Sequence, residues 1–168
     1  MLDHSGIGTY LANILPGVLE RCAALDPVVL TLPDLLQRAA RLASASAEVL
    51  PWGAAPLSAA ELRSPPFGAA GDLWWAPHFN VPLRSSLPLV VTLHDLLPLS
   101  GGRWPLHRRL AVQAWLAAIR RRARRVICAS GFTRGEAIRL GRLDAGKISV
   151  IPLGVDPDWA ADARPRPP

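Results

Sequence analysis

Pro88-Leu89-Val90-Val91-Thr92-Leu93-His94-Asp95 sets an unbroken apolar run against two ionisable residues. Apolar residues at consecutive positions, without polar alternation, read as a strand buried on both faces, the kind found in parallel sheets covered by helices. The flanking sequence agrees. Asp72 to Trp75 precedes it as another apolar strand; Pro105 to Arg122 follows as a helix, Arg125 to Ala129 as a strand, Phe132 to Leu140 as a helix and Lys147 to Leu153 as a final strand. Strands alternating with helices predict an α/β fold with a largely parallel sheet and helices on both faces. Ligands of such sheets bind beyond the carboxyl ends of the strands. His78, His94-Asp95 and Ser130 each fall just past such an end.

The earlier part of the chain is less regular. Ser5-Gly6-Ile7-Gly8-Thr9-Tyr10 reads as a glycine loop running into a helix from Thr9 to Leu25, which Pro16 should kink or shorten. Glycines there let backbone N–H groups approach an anion, and the helix start adds partial positive charge. Two glycines before a helix also occur at ordinary turns. Pro27 to Leu32 follows as a short buried strand, Pro33 to Ala43 as a helix with proline in its first turn, and Ala47 to Leu50 as a weak strand. Pro51 to Gly71, with several prolines and glycines, reads as loop with at most a short helix near Ala59 to Arg63.

Half of the 168 residues are hydrophobic, enough for a sizeable core in one domain. The two cysteines, Cys22 and Cys128, have no metal-type spacing and read as reduced thiols. No run approaches the roughly 18 apolar residues of a membrane-spanning helix. The net charge of +6 is uneven: nine arginines and no acidic residue lie between Leu96 and Arg134, which leaves −3 for the remainder. Arg120, Arg121 and Arg122 crowd the end of the long helix, where cations meet the helix dipole favourably. A second reading makes them a patch for anionic membrane or a lipid-diphosphate acceptor. Nucleic acid is disfavoured, because the arginines are not interleaved with exposed aromatics and no recognition motif is present.

A histidine at a strand end can hydrogen-bond a sugar hydroxyl or relay a proton, with Asp95 orienting a neighbour. The other reading bonds His94 to backbone and lets Asp95 cap the next segment. Trp74 to Pro82 combines aromatic surface, His78 and Asn80 in a proline-bounded turn, suited to stacking on a carbohydrate or to rigid packing. Ser130 reads more readily as a helix cap than as a nucleophile, since the Gly-x-Ser-x-Gly pattern of serine hydrolases is not met.

Taken in order, Ser5 to Tyr10, Trp75-Ala76-Pro77-His78-Phe79-Asn80-Val81-Pro82, Thr92-Leu93-His94-Asp95, Ala129-Ser130-Gly131-Phe132-Thr133 and Lys147 to Asp156 resemble the N-terminal half of retaining glycosyltransferases of family 4, the group-1 type. The resemblance implies a GT-B architecture, with two Rossmann-like domains facing each other across a cleft. Residues 1-159 would be the acceptor-side domain and 160-168 a linker or disordered tail. By carry-over, Gly6 and Gly8 would line the cleft near the donor diphosphate, and His94 would approach the transferred sugar as the catalytic residue. His78, Asn80, Asp95 and Ser130 would be substrate-binding. The implied donor is a nucleotide-sugar, the implied acceptor a glycan or lipid-linked glycan of a bacterial polysaccharide pathway, and neither metal nor other cofactor is expected. Two departures stand out. The family's first strand, expected before Ser5, is missing, which predicts a marginal or aggregation-prone fold. The donor-binding C-terminal domain with its paired glutamates eight positions apart is missing too.

The expected activity is therefore retaining hexose transfer only when a donor-binding domain is joined, and none by the isolated chain. The alternatives are an acceptor subunit of a split glycosyltransferase and a non-catalytic module binding glycan or anionic membrane. The expected location is the cytoplasm, or the inner face of its membrane.

Overall fold

The computed structural model describes residues 6–43, 47–53, 71–100 and 104–154. The expected short helix near 59–63 and the tail at 160–168 lie outside them.

Helix α1 (Gly6–Cys22) starts at Gly6, so the predicted glycine loop is already helical from there. Glycine is a weak helix former, but the first turn has no upstream carbonyl partners to lose, and its penalty there is small. The helix also runs on through Pro16, whose ring is exposed, so the predicted shortening does not occur. A short 3₁₀ turn leads to β1 (Val28–Thr31); a second, opened by Pro33, leads into α2 (Leu36–Ala43), followed by β2 (Glu48–Pro51). Strands β3 (Trp74–Ala76) and β4 (Leu89–Leu93) come next, then the short α3 (Leu97–Ser100), α4 (Leu106–Arg122), β5 (Ala123–Cys128), α5 (Gly131–Arg139) and β6 (Ile148–Val150).

All described strand pairings are parallel, but they form two sheets, β1-β2 and β3-β4-β5-β6. The larger sheet carries the main core. Leu89, Val91 and Leu93 of β4 are fully buried, as their apolar run predicts. Val112, Trp115, Leu116 and Ile119 recur at helical spacing on α4 and close one face. Each such aliphatic side chain stabilises the fold by about 1.5–3 kcal/mol on burial. The smaller sheet has a lesser core of Leu15, Leu19 and Ala43, which Trp75 of β3 joins to the larger unit. The Trp75 indole N–H donates to Thr92 Oγ1 at 3.3 Å.

Two local features place the functional ends. Helix α5 ends at Arg139 and the chain turns away at Gly141, where a Cβ would lie 2.6 Å from the Ala137 carbonyl oxygen. The crossover from β3 to β4 contains no helix; its buried Phe79, Val81, Pro82 and Leu87 do the packing a helix would otherwise do. An irregular segment cannot satisfy its own backbone. Here Arg122 Nη1 donates to the carbonyls of Pro82, at 2.8 Å, and of Ser85.

Candidate active site at the carboxyl edge of the sheet

His94 follows β4 directly and is half-buried. Its Nε2 lies 3.0 Å from the carbonyl of Pro77 in the neighbouring crossover. A carbonyl only accepts, so Nε2 carries the proton of this bond. The Tyr10 ring of α1 meets His94 edge to face, with centroids 4.8 Å apart. This ring contact brings the start of α1 to the end of β4.

His78 lies 6.5 Å from His94, centroid to centroid, with nearly parallel rings. Its Nδ1 is 3.0 Å from Asn80 Oδ1, and Phe79 packs against it at 3.9 Å. Burial pushes the His78 pKa below 6.5; His94 adds to this, while the Asn80 bond and Asp95 oppose it. The ring is therefore neutral near pH 7, with Nδ1–H donated to Asn80 and Nε2 an acceptor. Two imidazoles at one strand edge thus each commit one ring nitrogen, His94 Nε2 to the Pro77 carbonyl and His78 Nδ1 to Asn80.

The other predicted residues sit around this pair. Ser130 caps α5: its Oγ accepts from the Thr133 N–H at 3.0 Å and lies 3.0 Å from Thr133 Oγ1. Asp95 is exposed, and its Oδ1 accepts from the Leu97 N–H at 3.1 Å, which starts α3. Gly6 is exposed, and among the described residues nothing lies within 4 Å of an added Cβ, whereas Gly8 is buried. The three predicted patch arginines have different fates. Arg120 donates to the Gly141 carbonyl at 2.8 Å, Arg122 to Pro82 and Ser85, and Arg121 is exposed. All three lie at the end of α4 that leads into β5, away from the carboxyl edge that carries His94.

Sequence reasoning missed two participants. Thr133 is buried, and its hydroxyl donates to the His94 carbonyl at 2.9 Å, tying α5 to the end of β4. Tyr10 belonged to a motif but had no assigned part. Its position on the first turns of α1, beyond the two glycines, was the available signal. Among the described residues no three His, Cys, Asp or Glu side chains converge as metal ligands would. No helix among them is long and apolar enough to cross a membrane.

Comparison with known proteins gives these elements a context. The crystal structure of a glycosyltransferase from Rickettsia africae ESF-5 matches with a TM-score of 0.55 at 13% identity, over 97% of this chain and 44% of that one. This likeness concerns the fold, a Rossmann-like half of a GT-B enzyme, and the chain spans less than half the length of that glycosyltransferase. The search of curated proteins returned no match. The family model described as Glycosyltransferase Family 4 matches residues 64–159, which include His78, His94, Ser130 and all four strands of the larger sheet. With more than half of its length matched, the chain belongs to glycosyltransferase family 4.

Proposed function

We propose that this chain is the acceptor-side domain of a retaining glycosyltransferase, which moves a hexose from a nucleotide-sugar to a glycan or lipid-linked acceptor once a donor-binding domain is joined. In that transfer the bond from the hexose anomeric carbon to the diphosphate breaks and one to an acceptor hydroxyl forms. The observation that carries the reading is the meeting of His94, His78 and Tyr10 at the carboxyl edge of a parallel sheet, in a chain of this family.

His94 is the residue assigned to the transferred sugar. With Nε2 committed to Pro77, its Nδ1 accepts a sugar hydroxyl. His78 and Asn80 form the second polar group of the site, held in one tautomer by their mutual bond. Asp95 and Ser130 shape its rim through the segments they cap. The start of α1 at Gly6 is assigned to the leaving diphosphate, whose charge the helix dipole would partly offset, with the remaining cations coming from the donor domain. No metal has a part in this scheme.

The test is transfer of labelled hexose from a panel of nucleotide-sugars by the protein purified at its native mass from its own cells, parent against His94→Ala. Loss of a positioned hydrogen-bonding or proton-relaying histidine lowers kcat by about 10²–10⁴-fold. Unchanged kcat in a folded His94→Ala protein would remove His94 from the chemistry. Hexose transfer at an ordinary enzyme rate by the 168-residue chain alone would overturn its assignment as a half-site.

A further inference from the structure

At the amino edge of the larger sheet, opposite the histidines, lies an open hollow of about 670 Å³ lined by Ser86, Pro88, Ala123 and five cationic side chains: Arg121, Arg122, Arg124, Arg125 and Lys147. Among the described residues no carboxylate lines it. The nearby Asp144 belongs to a smaller adjoining hollow, and its Oδ1 accepts the Gly146 N–H at 2.9 Å.

The backbone itself builds this convergence. Between β4 and β5 the register slips, pairing Leu89 with Ala123 but Val90 with Arg125, so Arg124 is the extra residue of a bulge. Regular alternation would send Arg124 and Arg125 to opposite faces. The bulge instead leaves both exposed and lining the same hollow. Below them Arg122 uses Nη1 on two carbonyls, while its Nε and Nη2 are buried without a partner among the described residues. Burial and the Arg121 charge together lower its pKa, and among the described residues no carboxylate pairs with it. Arg125 spends one N–H on the Gly146 carbonyl at 3.2 Å, and Arg121, Arg124 and Lys147 show no side-chain bond among the described residues.

We infer that this hollow is a binding site for a phosphate-bearing anion, separate from the sugar-transfer site and on the opposite edge of the sheet. Its volume has room for a phosphate group together with the molecule that bears it, and Arg and Lys side chains are the usual partners of phosphate oxygens. The phosphate comes either from a soluble molecule or from the headgroup of an anionic lipid.

The test uses inorganic pyrophosphate as the soluble probe and vesicles of phosphatidylglycerol and phosphatidylcholine (1:3) as the lipid probe, with phosphatidylcholine vesicles as control. The expected result is saturable pyrophosphate binding by the full chain, with NMR amide shifts at residues 121–125 and 146–148. The double variant Arg124→Gln/Lys147→Gln should weaken it at least about tenfold. Arg108→Gln/Arg109→Gln removes equal charge from the exposed start of α4 and should change it less than about twofold. Vesicle binding that needs Arg124 and Lys147 and that pyrophosphate displaces assigns the site to lipid headgroups; pyrophosphate binding without vesicle binding assigns it to a soluble phosphate. The proposal is overturned if the two double variants weaken binding equally, if the shifts gather at Gly6 and Gly8 instead, or if neither probe binds.

Discussion

Replacing Thr133 by valine preserves the side-chain shape and removes one hydroxyl, in a residue only 4% exposed. That hydroxyl donates to the His94 carbonyl at 2.9 Å and lies 3.0 Å from Ser130 Oγ. Valine leaves the carbonyl without this donor in a site that admits little water, at a cost of about 1–3 kcal/mol. The methyl that replaces the hydroxyl returns at most about 0.8 kcal/mol of apolar burial. A net loss of about 1–2 kcal/mol is expected, which at a urea m-value of about 2 kcal/mol/M lowers the midpoint by about 0.5–1 M. Equilibrium unfolding followed by tryptophan fluorescence measures it, with the buried Trp115 as a reporter. Ser130→Ala removes the α5 cap and costs about 1 kcal/mol on its own. Because the two hydroxyls share a bond, the double variant should lose less than the sum of the singles, by about 0.5 kcal/mol or more. Thr133→Ser keeps the hydroxyl and should retain that coupling. A Thr133→Val midpoint at or above the parent's would refute the link between α5 and His94, and strict additivity with Ser130→Ala would refute the bond between the two hydroxyls.

Two further outcomes follow from the pKa shifts. His78 has a folded pKa depressed by burial, so its contribution to stability is complete above its unfolded value of 6.5 and is lost as the pH falls through the folded value. NMR titration of the His78 ring should give a midpoint below 6.5, and a midpoint at or above it would contradict the burial argument. The Cys128 thiol, fully buried and pushed up to about 11, should resist a disulfide reagent at pH 8 until the protein opens, whereas the half-exposed Cys22 reacts first. Equal rates for both thiols in folded protein would show that β5 is open to solvent.

The larger sheet was legible because its elements are long and strongly patterned. The apolar run at Leu89–Leu93 and the helical spacing of Val112, Trp115, Leu116 and Ile119 leave little choice of structure or face. The strand-end positions of His78, His94 and Ser130 followed from the same alternation. The start of α1 was not legible, since glycine favours a loop locally and only packing around Tyr10 and Leu15 draws Gly6 into the helix. The division into two sheets was equally hidden, because strand pairing between distant segments leaves no local pattern. Nor could composition tell Arg121 from Arg122. A long side chain settles on whichever carbonyls the fold leaves unpaired, and those of Pro82 and Ser85 are 40 and 37 residues away.

The helix-free crossover between β3 and β4 makes the two edges of the sheet share one strap. It leaves the carboxyl edge at Pro77 and His78 and reaches the amino edge where Arg122 clasps Pro82 and Ser85. Lacking the internal ladder of a helix, the strap borrows its stiffness from those fastenings. An anion that drew the Arg122 guanidinium wholly to itself would strand two carbonyls, at about 1–3 kcal/mol each. The tolerable ligand is one held by Arg121, Arg124 and Lys147 that leaves Nη1 in place. The clasp therefore sets a selection rule on what the amino edge can hold without slackening the segment that presents His78.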